Sequence, residues 1–240
     1  MNHFFFLAAG YGKRMGIWTQ TVPKPLLKID EISFLDYSLY LAFQWGVSKA
    51  WINTHYLSDL IQDHLKNFCA FPLKISPEKE EILGTAGGIR SALSDQDFNS
   101  PLVLFNLDTL LFPASSFTLP NKLPPHSKIH LFLSRMEISD RYTKITLQKD
   151  GRILFGEGEF FYIGLAIIDP SCLKTIPPNV FSDLSPLFNE LADSGEITGE
   201  IFQGTTLDLG EKEKYEFYRN QNVFGNSKTE ILNFISKYVS

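Results

Sequence analysis

Lys13 and Arg14 follow directly on Gly10-Tyr11-Gly12, and Lys24 stands ten residues beyond Arg14, clamped between Pro23 and Pro25. Glycine lets backbone N–H groups approach a ligand closely, and successive N–H groups in a turn form an anion-binding concavity. Two fixed positive charges beside such a turn suit a polyphosphate better than a neutral ligand. Each proline ring fixes its own φ and biases the preceding residue toward extended conformations. The Lys24 stem therefore leaves a stiff backbone in a limited set of directions. The spacing excludes two familiar phosphate loops. The third glycine of G-x-G-x-x-G would fall at position 15, which is Met15, and no G-x-x-x-x-G-K-[ST] occurs in the chain. The stretch reads as a triphosphate cradle with a pre-aimed lysine.

Two aspartates are the natural complement. Asp108 follows the apolar run Leu102-Val103-Leu104-Phe105, and Asp208 lies in Thr206-Leu207-Asp208-Leu209-Gly210. An aspartate after a strand is commonly a turn former. Here it also suits Mg²⁺, a hard cation that takes one or two carboxylates plus phosphate oxygens. Asp208 is the expected second carboxylate. Gly84-Thr85-Ala86-Gly87-Gly88 precedes a helix expected to start at Ile89. Glycines there leave room for a flat base or ribose and leave N–H groups available as donors, and the same pattern also suits a plain loop. Gly164, inside an apolar strand, marks a bulge or a close ligand approach.

These residues need a scaffold that brings strand ends together. Phe4 to Ala8 reads as a buried strand. Ser33 caps a helix over residues 34–45 that ends at Gly46; residues 50–54 form a strand, 57–65 a helix and 73–75 a strand. Strand alternating with helix is the rhythm of a parallel sheet covered on both faces. In such sheets ligands bind beyond the carboxyl ends of strands, where both the cradle and Asp108 fall. Residues 113–125 read as a polar loop. Strands are expected at 129–134, 142–147, 153–155, 160–168 and 200–202, with a hairpin turn at Lys149-Asp150-Gly151. Helices are expected at 187–192, 212–219 and 229–238, the last presenting Ile231, Leu232, Phe234, Ile235 and Tyr238 on one face to the body or to a second subunit.

Bulk properties narrow the class. The 240 residues fit one large α/β domain. A formal net charge of −5 without a basic block argues against a nucleic-acid surface. No stretch approaches the ~20 continuous apolar residues of a membrane helix, and Phe4 to Ala9 is too short for a signal peptide. No membrane association and a cytoplasmic location are expected. Cys69 and Cys172 are too far apart for a C-x-x-C motif, and no H-E-x-x-H pattern occurs. His126 and His130 read as solvated turn residues.

In order along the chain, LAAGYGKRM, PKPL, INTHYL, LGTAGG, NLD, FYIGLAIIDP and LDLG resemble the sugar-1-phosphate nucleotidylyltransferases, most closely their compact MurNAc-1-phosphate uridylyltransferase and mannose-1-phosphate guanylyltransferase type. The resemblance implies an α/β fold with a Rossmann-like mixed, mostly parallel sheet flanked by helices and a small β-rich sugar-binding portion. It implies one nucleotidyltransferase domain over 1–240: a nucleotide-binding half at 1–112, a sugar-binding and metal-completing half at 113–210, and C-terminal helices at 211–240. The partners implied are a nucleoside triphosphate (UTP or GTP) and a sugar 1-phosphate, with the protein a monomer or homodimer. By position, Arg14 and Lys24 would be catalytic. Leu7, Ala8, Ala9, Gly10, Gly12, Lys13, Thr85, Gly87 and Gly88 would border the nucleotide. Asn53, Asn106 and Gly164 would serve the sugar phosphate, and Asp108 and Asp208 would hold Mg²⁺. The expected product is an NDP-sugar for cell-envelope polysaccharide. A cytidylyltransferase acting on a non-sugar phosphate such as phosphocholine, and a non-catalytic nucleotide-sugar sensor, are the alternatives. Three departures from the pattern stand out: Leu107 replaces a small residue, Gly16-Ile17-Trp18 replaces Pro-Leu-Thr, and Glu211 stands where Thr or Ser usually follows the glycine.

Overall fold

The computed structural model describes residues 2–95, 100–136 and 142–239. In chain order the elements begin with β1 (Asn2–Leu7), β2 (Lys28–Ile29), β3 (Ile32–Ser33), α1 (Phe34–Gln44), β4 (Val47–Thr54), α2 (Ser58–Leu65) and β5 (Leu73–Pro77). The middle of the chain holds α3 (Gly84–Ala92), β6 (Leu102–Asn106), β7 (Thr109–Pro113), β8 (Ile129–Arg135), β9 (Ile145–Leu147), β10 (Ile153–Phe155) and β11 (Phe160–Ile168). The last are α4 (Leu184–Asp193), β12 (Ile197–Ile201), β13 (Gly204–Asp208), α5 (Lys212–Tyr218) and α6 (Lys228–Tyr238).

The chain divides into two compact units. The first comprises Met1–Ile82, Asn106–Leu110 and Leu207–Ser240. In it β1 pairs in parallel with β4, and β4 with β5, so the carboxyl ends of all three point the same way. Phe4, Phe5 and Phe6 are each 0% exposed. Consecutive burial, rather than alternation, is the mark of a strand covered on both faces. Helix α1 starts where Ser33 Oγ accepts the Asp36 N–H at 3.0 Å, a side-chain N-cap. It is buried through Ala42, and Gly46 at φ +70° turns the chain back toward β4. The C-terminal helix packs on α1 through rings: Tyr40 and Phe43 lie 5.7 and 5.3 Å from Phe234, and Phe43 lies 5.5 Å from Tyr238. The apolar face expected for the tail is thus covered within this unit.

The second unit comprises Leu83–Phe105 and Leu111–Thr206. Here β11 is antiparallel to both β6 and β8, and β12 is parallel to β8. A short β9–β10 hairpin joins β11 through Phe160 and Ile145. The sheet is mixed and flanked by helices, as expected.

Several local expectations change. Helix α3 starts at Gly84 rather than Ile89, so the glycines are helical. A Cβ on Gly87 would meet Val180 O at 2.3 Å, and its N–H donates to Ser182 O at 3.0 Å. The glycine admits a passing backbone strand to the helix surface, and that N–H is already taken. Strands β3, β7 and β13 went unforeseen; β3 pairs with β2, and β7 with β13, each pair as a separate two-stranded sheet. His130 is buried at 5% exposure, with Nδ1 2.8 Å from Thr198 Oγ1, so it is no solvated turn residue. At Gly164 (φ +85°) the β11–β8 register shifts between Tyr162 and Ala166, which is the bulge reading. Both cysteines are free. Among the described residues no helix is long and apolar enough to cross a membrane.

Candidate active site

The site residues of the first unit gather at the carboxyl ends of β1 and β4 and in the turn after β6. Ala8 and Ala9, at 3% and 5% exposure, continue the buried strand direction, and the chain surfaces at Gly10. No atom lies within 4 Å of where a Gly10 Cβ would stand, so the loop is open on that side. Gly12 is the opposite case. At φ +65°, a Cβ there would meet Thr19 Cγ2 at 2.9 Å and Lys24 Cβ at 3.2 Å. Left-handed backbone and crowding both require glycine. The Gly12 carbonyl accepts from Met15 N–H at 2.8 Å and from Thr19 Oγ1 at 3.0 Å, which ties together the two short 3-10 turns of Lys13–Thr19 on either side of a kink at Gly16. Met15, fully buried, anchors the first turn, while Lys13 and Arg14 face solvent. The turn displays two cations beside open glycine backbone.

The second motif is folded onto the first. Pro23 is extended at ψ 144°, and Lys24 opens a 3-10 turn that includes Pro25. Lys24 Nζ reaches Asp108 Oδ2 at 2.7 Å, with side-chain exposures of 14% and 27%. Asp108 sits in the two-residue turn between β6 and β7, and its carbonyl accepts from Leu209 N–H at 2.8 Å. That bond ties the Asp108 turn to the Asp208 turn. There Asp208 Oδ1 accepts the Gly210 N–H at 2.7 Å. Leu107, at 3% exposure, turns into the core rather than standing in the open.

Asn53 is held at both polar ends. Its Oδ1 accepts the Ala8 N–H at 2.9 Å and its Nδ2 donates to Glu78 Oε1 at 2.7 Å. The loop carrying Gly16-Ile17-Trp18 is docked on α5. Trp18 Nε1 donates to Glu216 at 2.9 Å, its ring meets Tyr215 edge-on at 5.3 Å, and the Arg219 guanidinium lies 4.2 Å from the ring centre. That departure from the pattern therefore has its own anchor.

The remaining sequence candidates are placed as follows. Leu7 and Asn106 are half-buried at the ends of β1 and β6. In the second unit Thr85 is half-buried in the first turn of α3, Gly87 and Gly88 are buried in that helix, and Gly164 is buried in β11. Sequence reading passed over His55 and Glu78, which directly follow β4 and β5. The available signal was a polar residue just past a parallel strand, the reasoning already applied to Asp108.

Comparison with known proteins matches part of the chain to a family model. Residues 5–118 match the MobA-like NTP transferase domain. The chain is 29% identical over 211 residues to N-acetylmuramate alpha-1-phosphate uridylyltransferase of Neisseria meningitidis serogroup B, covering 85% of this chain and 91% of that protein. It is 25% identical over 227 residues to mannose-1-phosphate guanylyltransferase catalytic subunit beta of Danio rerio, covering 87% of this chain and 61% of that protein. Among solved structures, HddC from Yersinia pseudotuberculosis superposes with a TM-score of 0.71 at 21% identity, covering 91% of this chain and 98% of that one. A UDP-glucose pyrophosphorylase complexed with UDP-glucose gives 0.73 at 18% identity, covering 91% and 97%. Residues 5–118 thus match the MobA-like NTP transferase domain, and N-acetylmuramate alpha-1-phosphate uridylyltransferase and mannose-1-phosphate guanylyltransferase are among the proteins the chain is similar to.

Proposed function

We propose that the chain joins a nucleoside triphosphate, UTP or GTP, to a sugar 1-phosphate, giving an NDP-sugar and pyrophosphate. The observation that carries this is the Lys24–Asp108 contact at 2.7 Å. It puts the aimed lysine, the glycine cradle against which its stem packs and a carboxylate from the end of β6 in one place. In this reading the open backbone at Gly10 and the cations Lys13 and Arg14 receive the β- and γ-phosphates. Lys24 meets the α-phosphate. A sugar phosphate oxygen attacks the α-phosphorus in line, the bond to the bridging oxygen breaks, and pyrophosphate leaves. No protein nucleophile is needed, because the work is positioning and neutralising charge that grows in the transition state.

The donor set fits Mg²⁺. Asp108 and Asp208 supply hard oxygens from two turns tied to each other, and phosphate oxygens and water complete such a shell. Among the described residues no cluster of three or more His, Cys, Asp or Glu lies together. When bound, Mg²⁺ would supply charge neutralisation at the transferring phosphoryl group.

The test is pyrophosphate release by the purified protein over a matrix of UTP, GTP, CTP, ATP and dTTP against sugar 1-phosphates and phosphocholine, with Mg²⁺. One triphosphate paired with one sugar 1-phosphate should stand clear of background. Turnover with CTP and phosphocholine alone would replace the sugar reading, and background everywhere would end the enzymatic one.

A further inference from the structure

Glu78 stands just past β5, at 6% exposure, and none of the catalytic steps above uses it. It is nonetheless connected twice to the cradle. The inner connection runs through its carboxylate: Oε1 accepts from Asn53 Nδ2 at 2.7 Å, and Asn53 Oδ1 accepts the Ala8 N–H at 2.9 Å. Those partners fix the amide's orientation, since a backbone N–H needs an oxygen and a carboxylate needs a donor. The outer connection runs through its backbone. The Glu78 carbonyl lies 2.7 Å from His55 Nδ1, and His55 Nε2 lies 3.1 Å from the Tyr11 hydroxyl. A carbonyl can only accept, so Nδ1 carries a proton; in the neutral ring Nε2 then accepts from the Tyr11 O–H. The Glu78 N–H donates to Thr54 O at 2.7 Å, which seats the residue against the end of β4.

We infer that Glu78 is a positioning residue that holds the loop from Ala8 to Gly12 in its anion-binding conformation, with Asn53 and His55 as its two arms. Its use in triphosphate binding rests on the function proposed above. The parallel register makes the arrangement possible. Asn53 faces Leu7 on one side and Ser76 on the other, so one side chain at the end of the middle strand can reach past both neighbours. The inner arm fixes the point where the loop leaves β1, and the outer arm fixes the side chain midway along it. Both polar ends of Asn53 are engaged within the protein. Its role in this inference is to carry the brace.

Glu78→Ala removes the acceptor and leaves the Ala8 N–H as the one remaining partner of this pair that holds the Asn53 amide in place. Glu78→Gln keeps an oxygen for Asn53. Hydrogen exchange of the amides from Ala8 to Gly12 reads the brace without any ligand, and titration with UTP and GTP in Mg²⁺ reads its use. Glu78→Ala should speed exchange of those amides at temperatures well below its melting point and weaken triphosphate binding about tenfold or more. Glu78→Gln should restore both. If melting falls while cradle exchange and affinity stay at wild-type values, Glu78 is merely structural and the inference fails. Should Glu78→Ala not fold, His55→Phe cuts only the outer arm at a half-buried side chain. It must speed exchange around Tyr11 while Ala8 stays protected, and unchanged exchange there overturns the inference. Faster exchange in a chain whose wild type binds neither UTP nor GTP would leave the brace standing and remove the proposed function.

Discussion

Replacing Asp108 with asparagine tests whether the Lys24–Asp108 pair gates the site. The pair is short, 2.7 Å, and partly shielded, at 14% and 27% side-chain exposure. A hydrogen bond between charged groups contributes about 1.5–3 kcal/mol, and the solvent contact of Asp108 places this one near the lower end. Lys24 cannot turn fully to an α-phosphate without giving up that contact, unless a divalent cation takes over the Asp108 oxygen. In the wild type the metal-free triphosphate complex therefore carries a penalty of about 1.5 kcal/mol, roughly tenfold in affinity. Asparagine keeps the shape and removes the charge. The metal-free dissociation constant should tighten by about tenfold, and the gain on adding Mg²⁺ should shrink because one of the two metal carboxylates is gone. Titration calorimetry with the preferred triphosphate, in EDTA and then in excess Mg²⁺, measures both. Metal-free binding equal to or weaker than wild type would refute the gating argument, whatever happens to turnover.

Lys24→Met removes a preorganised donor, and turnover should fall about 10²- to 10³-fold in steady-state pyrophosphate release; a loss under tenfold would place the α-phosphate elsewhere. Gly12→Ala forces an L side chain to φ +65° against Thr19 and Lys24. A left-handed residue costs about 1–2 kcal/mol before the clash, so melting should fall by at least ~2 °C at this chain length, measured by calorimetry. Phe5→Ala empties a fully buried ring position and should destabilise by about 3–5 kcal/mol in urea titration. Burial, with a smaller contribution from Asp169, pushes the Cys172 thiol up to about 12, while Cys69 is exposed. At pH 8 iodoacetamide should modify Cys69 and spare Cys172, as read by peptide mass.

How much of this the sequence disclosed follows from how local each feature is. Phe4 to Ala8, the glycine turn and the Ser33 cap are written within a few residues, and all three appear where read. The contact between Gly12 and the Lys24 stem is also short-range, though nothing in G-Y-G or P-K-P states that the two motifs touch. Strands β7 and β13 escaped because each pairs only with the other, across roughly ninety-five residues; Thr109–Pro113 alone looks like the start of a proline-rich loop. The helix at Gly84 escaped because glycine is a poor helix former, and what licenses it is the backbone at Val180–Ser182 packed on its surface. Glu78 escaped for a related reason. Its meaning lies in Asn53, His55 and the two neighbouring strand ends, none of which is adjacent in sequence.

The first compact unit is built from three separated stretches, Met1–Ile82, Asn106–Leu110 and Leu207–Ser240. That arrangement has a consequence for how the chain reaches its native state. The aromatic cover that α6 places over Tyr40 and Phe43 is the last part of this unit to leave the ribosome. Loop closure over such distances must precede the contacts that reward it, which slows folding. Until then a vectorially made chain exposes part of α1 and has no Asp208, and exposed apolar surface of that kind favours association with other chains. Refolding of the full protein should accordingly show one late phase in which the Trp18–Tyr215 cluster and the site aspartates assemble together.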